Sequence, residues 1–245
     1  MNTPALKDRR RLDVGADMIL PLLTGLGRIM VIGKQNGATH ERIGNVEHVA
    51  IADGRARLEG AAHSGEIDLA QIANVTADFS AAMGDKAMPR LEFTNGDAEP
   101  VFSIVSLDGR EAFDRAFAEL PSQQLTETED AARPERRELA EDDAGFRVLD
   151  AIRESGQDVE LLLERPGFAQ SWQGKVAKVS PGMGFANVMT ESFHLHLKGG
   201  SVSRWHWDAA GKRLVALDAN GAPLGLFVRG PDSVLAALAD KESGV

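Results

Sequence analysis

Residues 187–207, N-V-M-T-E-S-F-H-L-H-L-K-G-G-S-V-S-R-W-H-W, contain the pattern that decides the fold. From position 193 onward, apolar residues alternate with His194, His196 and Lys198, and successive side chains of a strand point to opposite faces. The alternation therefore predicts a strand with two histidines on one face. Gly199-Gly200 is typical of a tight turn, and an extended pattern resumes after it, so we expect a hairpin.

Length and charge limit the kinds of protein to which such a strand could belong. The chain has 245 residues, enough for two domains of ordinary size. A hydrophobic fraction of 43% indicates a globular protein with a real core. The net charge of -10 argues against nucleic acid or an anionic membrane surface as the main partner, because neither is attracted to an acidic protein.

The residue inventory excludes several chemistries. The chain contains neither cysteine nor tyrosine, so disulfides, thiolate catalysis and cysteine or tyrosine metal ligation are ruled out. The first residues carry basic side chains without a following apolar core, and no apolar run reaches membrane-spanning length. We therefore expect a cytoplasmic protein with no membrane insertion.

The second half of the chain repeats the spacing of the first. Glycine and valine positions recur at an offset of 130, and a strand-like set recurs at an offset of 123. The matched pairs are Gly37/Gly167, Gly44/Gly174, Val46/Val176, Val49/Val179, Arg90/Arg213, Leu91/Leu214 and Pro100/Pro223. Each match is weak alone, but their colinearity predicts two copies of one strand-rich unit.

Besides a short N-terminal helix, helices are predicted at three places. Asp108 and Glu111 have capping-box spacing, which predicts a helix over residues 108–120 at the end of the first copy. Residues 231–239 occupy the same place in the second copy. A further amphipathic helix is expected before Gly156, which is suited to stop it.

These patterns divide the chain. Residues 122–138 contain almost no large apolar side chain and are predicted to be a linker. A first repeat, including a short N-terminal helix, is expected over residues 1–121 and a second repeat over residues 139–245. The predicted fold class is α+β, a tandem duplication of a large antiparallel β-sheet unit, each copy closed by a C-terminal helix.

A family resemblance follows from segments that occur in a fixed order. They are L-G-R-I-M-V-I-G-K-Q-N-G-A-T-H-E-R-I-G at 26–44, P-R-L-E-F at 89–93, N-V-M-T-E-S-F-H-L-H-L-K at 187–198, G-K-R-L-V-A-L-D-A-N-G-A-P-L at 211–224, and F-V-R-G-P at 227–231. In this order they resemble the cytoplasmic haem-utilisation proteins of the HemS, ChuS and HmuS kind, which are related to the single-repeat ChuX and HutX proteins. The resemblance implies a tandem antiparallel-sheet fold and haem as the ligand, for iron acquisition. It also implies that some members degrade haem.

The chain departs from that family at one important position. The family carries a haem-ligating histidine in the segment that matches Glu141–Phe146, E-D-D-A-G-F, and Ala144 stands in its place. With no tyrosine or cysteine to substitute, the candidate iron ligands are His196, the histidine of the family's L-H-L motif, and His194 beside it. His40 is expected to be structural, and a satisfied strand histidine is the alternative interpretation of His196.

Arginines are candidates for binding the haem propionates, because a guanidinium can donate two parallel hydrogen bonds to one carboxylate. Arg229 follows the strand that matches the family's last one, and Arg90 and Arg213 occupy equivalent positions of the two copies. The alternative for each is a solvated charge at a strand end. We expect Arg229 to share one cleft with the histidines.

Three hypotheses for function follow. The first is a haem-binding protein for haem trafficking and iron utilisation, with a haem-uptake transporter or haem-receiving protein as partner. The second is a diverged member that has lost haem and acts as an interaction or regulatory protein. The third is a haem-degrading enzyme, which Ala144 makes less favourable. A duplicated chain is expected to be a monomer, because its two copies replace two subunits.

Overall fold

A computed structural model describes residues 8–125 and 138–242, the last three by their backbone alone. Most of the predicted linker, residues 126–137, lies outside the described residues. Within the described ranges, no helix has both the length and the apolar composition that crossing a bilayer requires.

The described residues form many strands and few helices. The strands are β1 (Arg9–Leu12), β2 (Arg28–Gln35), β3 (Ala38–Asn45), β4 (His48–Ala52), β5 (Arg55–Glu59), β6 (Ser64–Asp68), β7 (Asn74–Asp78), β8 (Ala82–Met83), β9 (Lys86–Ala87), β10 (Arg90–Thr94), β11 (Pro100–Ser106), β12 (Ser122–Gln124), β13 (Asp158–Arg165), β14 (Phe168–Lys175), β15 (Val179–Gly182), β16 (Phe185–Met189), β17 (Phe193–Lys198), β18 (Arg204–Asp208), β19 (Arg213–Leu217) and β20 (Pro223–Arg229). The α-helices are α1 (Ala16–Ile19), α2 (Glu111–Phe117), α3 (Ala144–Ser155) and α4 (Asp232–Glu242), with 3₁₀ turns at Leu20–Gly25 and Leu69–Gln71. The fold class α+β, with mainly antiparallel sheets, is confirmed.

The chain forms two compact units that are not contiguous in sequence. The first contains the described residues up to Ile32, those from Ile43 to 125, and Pro166–Phe168. The second contains Gly33–Arg42, residues 138–165 and those from Ala169 onward. The tip of the hairpin formed by β2 and β3 therefore belongs to the second unit.

The first unit is organised around an antiparallel sheet in which β12, β1, β7, β10 and β11 are successive neighbours. Strands β4, β5 and β6 form an antiparallel meander. The core of the first unit includes Phe93 and Phe102, whose stacked rings have centroids 4.1 Å apart. Helix α2 adds Phe113 and Phe117 to that core. Both helix residues are fully buried, so this short helix is held by packing rather than by its own length.

The second unit has two sets of strands around one core. Strands β3, β17, β16 and β15 are antiparallel neighbours in one set. The other set has the order β18, β19, β20, β13 and β14. Leu195 from the first set, Trp205 from the second, and Leu149 and Leu235 from helices α3 and α4 all belong to the same hydrophobic cluster.

The expected hairpin across Gly199-Gly200 is wrong in its pairing, although both of its strands exist. Strand β17 pairs with β16 and β3, whereas β18 pairs with β19 in the other sheet. The turn closes locally, with the backbone N–H of Ser201 donating to the carbonyl of Lys198 at 3.1 Å. Leu197 before the turn and Trp205 after it pack into one core from different strand sets.

Helix α3 begins and ends at residues suited to those positions. The carboxylate of Asp143 accepts from the backbone N–H of Phe146 at 2.9 Å, which caps the first turn. The helix ends at Gly156, which has a left-handed φ of 63°, so the predicted stop is confirmed. The indole N–H of Trp205 donates to the carbonyl of Ala144 at 3.1 Å and fixes the start of the helix in the core.

The predicted capping box of helix α2 is wrong. The helix begins at Glu111 after Arg110, and no side chain caps it. The carboxylate of Asp108 instead accepts from the backbone N–H of Arg28 at 2.8 Å. That contact ties the segment before α2 to the start of β2, so Asp108 makes a tertiary hydrogen bond instead of capping the helix.

Candidate histidine and carboxylate site

Strand β17 presents His194 and His196 on the face opposite to the core. Leu195 and Leu197, between and beside them, are completely buried in the core of the second unit. The predicted alternation is therefore observed. The two imidazoles remain partly accessible, with 20% and 27% of their side-chain surface exposed.

Strand β3 adds a carboxylate to the same face. Its antiparallel register places Glu41 directly opposite His194 and Thr39 directly opposite His196. The Oε2 atom of Glu41 lies 3.2 Å from Nδ1 of His194 and 3.7 Å from Nε2 of His196. The two imidazole rings have centroids 5.8 Å apart and are inclined at 70°. One carboxylate oxygen thus faces a nitrogen from each ring.

Asn187 on β16 fixes the orientation of the His196 ring. Its amide Nδ2 donates to the carbonyls of Ser180 and Phe185, each at 3.1 Å, so its Oδ1 must be the acceptor that faces the ring. That Oδ1 lies 2.6 Å from Nδ1 of His196, which therefore carries the hydrogen. In the neutral ring, Nε2 then has its lone pair directed toward Glu41.

The charge state of Glu41 follows from two opposed effects. Burial raises the pKa of this carboxyl, but hydrogen bonding and charge from His196 and His194 lower it more. The pKa consequently lies below its ordinary value. Glu41 is an anion at neutral pH and can accept a hydrogen bond or bind a cation.

A groove adjoins the cluster on the same unit. It has a volume of about 310 Å³ and is lined by the hairpin tip from Lys34 to Thr39 and by Phe185 and Lys198. Thr39 is the cross-strand partner of His196, which places the groove beside the imidazoles. Two lysine ammonium groups and one aromatic ring therefore border the space next to His196.

The arginines selected from sequence lie elsewhere. Arg229 and Arg213 extend from β20 and β19 on the side away from the core, because their neighbours Val228 and Leu214 are core residues. Arg229 donates to Glu160 at 3.1 Å. The structure therefore does not bring Arg229 and the histidines into one cleft, since they face outward from different sheets.

The other two arginines are also engaged. Arg213 donates to Asp208 at 3.2 Å, and its guanidinium lies 4.2 Å from the ring centroid of Phe227. Arg90 belongs to the first unit, where it pairs with Glu92 at 3.1 Å and with the largely buried Asp78 at 3.7 Å.

The remaining histidines fall outside the cluster. His40 is fully buried, its Nε2 lies 3.1 Å from the carbonyl of Leu161, and burial lowers its pKa to about 3. His63 is also buried, with its Nε2 3.1 Å from the carbonyl of Gly44, and His48 and His206 are exposed. Among the described residues, Glu41, His194 and His196 form the one group with metal-binding composition and spacing.

Sequence reasoning missed Glu41, Asn187 and the lysines. Asn187 stands in the quoted N-V motif and Glu41 in T-H-E, so both were visible as letters. Their proximity to the histidines depends on the strand register between β3, β17 and β16, which no local pattern encodes.

Sequence comparison identifies no relative, since no family model and no curated protein matches the chain. Solved structures do match. The haem-binding protein PhuS of Pseudomonas aeruginosa, in its apo form, aligns with a TM-score of 0.72 at 16% identity, over 96% of this chain and 87% of that one. The haem oxygenase ChuS of Escherichia coli aligns with a TM-score of 0.72 at 15% identity, over 97% and 88%. This chain therefore has the fold of PhuS and ChuS, as the sequence resemblance implied.

Proposed function

We propose that the protein binds haem and serves as a haem carrier in iron utilisation, with a haem-uptake transporter or haem-receiving protein as partner. The fold shared with PhuS and ChuS supports the ligand class. The observation that carries the proposal is the partly exposed His196 imidazole, whose cross-strand partner Thr39 lines a groove bordered by Lys34 and Lys198.

The residues present fit the chemistry of haem. A neutral imidazole is a common axial ligand of haem iron, and a hydrogen bond from its other nitrogen increases its basicity. Asn187 supplies that acceptor for His196. Propionates are carboxylates that need cationic partners when they leave water, and Lys34 and Lys198 offer such partners in the groove.

We propose that the protein carries haem rather than cleaves the haem ring. Cleavage requires iron held where oxygen is activated, for which a strong axial ligand is the usual device. At the position where the family resemblance places that ligand, Ala144 packs against the core and its carbonyl accepts from Trp205. The next residue, Gly145, lies against Leu197, on the face of β17 opposite to His196.

Haemin titration tests the proposal. The purified protein should give a saturable Soret shift with one equivalent, and His196→Ala should alter the Soret position or weaken binding at least about tenfold, which is about 1.4 kcal/mol. His206→Ala is the matched control, since His206 is an exposed histidine of the same unit outside the cluster. Absence of a shift at stoichiometric haemin would contradict haem binding and favour the diverged, haem-free alternative.

Further variants locate the ligand. Removing the two groove lysines should weaken haemin binding with little spectral change, whereas Arg229→Ala should leave the affinity near that of the parent. Ala144→His should leave the spectrum unchanged if haem lies on the His196 side of β17. A strong-field spectrum with tighter binding in that variant would place haem on the opposite side. Loss of the Soret band with reductant and oxygen, together with a bilin product, would indicate cleavage.

A further inference from the structure

The cluster of Glu41, His194 and His196 has the composition of a non-haem metal site. One atom from each side chain lies within 4.8 Å of the others. We propose that these three residues bind a divalent first-row transition metal ion, of the zinc or ferrous class. Two imidazoles and one carboxylate form a donor set that such ions favour. The ion would occupy the same Nε2 atom of His196 that haem iron would use, so the two ligands would exclude each other at that atom, and this inference does not depend on haem binding.

The first argument is electrostatic. Asn187 fixes the hydrogen of His196 on Nδ1, so the lone pair of neutral Nε2 faces the Glu41 oxygen 3.7 Å away. A lone pair and an anionic oxygen repel each other unless a positive charge lies between them. Either a proton on Nε2 or a metal cation meets that need. The Nδ1 atom of His194, 3.2 Å from the same oxygen, is the third possible ligand atom of the cluster.

The second argument is geometric. Zinc binds nitrogen and oxygen at about 2.0–2.2 Å, so tetrahedral ligand atoms lie roughly 3.4 Å apart. The two distances from Glu41 Oε2, 3.2 Å and 3.7 Å, bracket that value. The ligand atoms of all three residues lie within 4.8 Å of one another, so rotation of the side chains would have to bring them to that spacing around an ion.

The third argument concerns access and support. The three side chains are between 14% and 27% exposed, so an ion can enter while the ligands stay ordered by their neighbours. A histidine ligand usually donates its other N–H to a second group, and Asn187 accepts from His196 in that manner. Three protein ligands leave a further coordination position for water or a small anion.

The test uses full-length protein without a histidine tag, titrated with Zn²⁺ by calorimetry and with Co²⁺ by absorption. We expect one ion per chain and cobalt d–d bands typical of low coordination number. Glu41→Gln and His194→Asn should each weaken Zn²⁺ binding at least about tenfold, and Asn187→Leu about 10- to 100-fold. His206→Asn, the control, should leave it unchanged. No binding at micromolar Zn²⁺, or equal binding by the parent and Glu41→Gln, would overturn the proposal.

Haemin titration of the same variants separates the two proposals. Glu41→Gln retains both imidazoles and should keep haemin binding while losing Zn²⁺. Zn²⁺ binding without any haemin response would overturn the proposed function alone. A haemin response without Zn²⁺ binding would overturn the metal site alone.

Discussion

Asp143 is predicted to contribute strongly to the free energy of unfolding of the second unit. One carboxylate oxygen caps helix α3 through Phe146, and the other accepts from the backbone N–H of Gly200 at 2.8 Å. The same side chain thus holds the start of the helix and the turn that ends the histidine strand. Only 8% of Asp143 is exposed, so water does not readily replace either bond.

The expected loss follows from these two bonds. Removing an N-cap costs about 1 kcal/mol, and a hydrogen bond to a charged acceptor contributes about 2 kcal/mol. Asp143→Ala should therefore lower the free energy of unfolding of the second unit by about 3 kcal/mol. Asp143→Ser retains a capping oxygen but does not reach Gly200, so it should cost about 2 kcal/mol.

Tryptophan fluorescence during urea unfolding measures this loss selectively. The chain has three tryptophans, Trp172, Trp205 and Trp207, and all three belong to the second unit. Tyrosine is absent, so no other residue contributes strongly to the signal. A loss below about 1 kcal/mol in the alanine variant, or a serine variant as stable as the parent, would refute the two-bond account.

Three further predictions concern other residues of the second unit. Gly225→Ala should lower the free energy of unfolding by about 3 kcal/mol, because φ at this position is 88° and the new Cβ would collide with the carbonyl oxygen of Glu164. Circular dichroism during urea unfolding measures this loss, and an unchanged free energy of unfolding would contradict the prediction. Trp205→Phe should cost about 1 kcal/mol by the same method, since it removes the indole hydrogen bond to the Ala144 carbonyl, and an unchanged midpoint would count against that bond. His40 has its pKa lowered from 6.5 to about 3 by burial, so the folded state favours the neutral ring. In chelator-treated protein, the free energy of unfolding should be full above about pH 6.5 and fall by up to about 1.4 kcal/mol per pH unit toward pH 3. The His40→Gln variant should show a smaller slope, and a slope equal to that of the parent would disprove the assignment to His40.

Local sequence patterns predicted individual elements more successfully than their pairing. The alternation around His194 and His196 gave strand β17 and its buried face, because a period of two is a property of neighbouring residues. Gly156 gave the end of α3 for a similar reason, since only the local backbone decides a left-handed stop. The turn after Lys198 also formed as expected, yet its strands enter different sheets.

The candidate site could be predicted only in part. The histidines were selected from a motif, but Glu41 lies 153 positions away and meets them through strand register. Arg229 was expected with them because both follow the family pattern, whereas strand alternation turns it outward from the other sheet. Relations between distant strands depend on which side chains share the core, and a single sequence does not report that directly.

The division of the chain into non-contiguous units has a consequence for its evolution. Glu41 precedes the predicted linker and both histidines follow it, so neither half of the gene encodes the cluster alone. A fragment that begins after the linker would also lack β3 and leave the histidine strand β17 with an open edge, which invites aggregation. Loss of either half therefore removes the cluster, so both halves have to be inherited together to keep it.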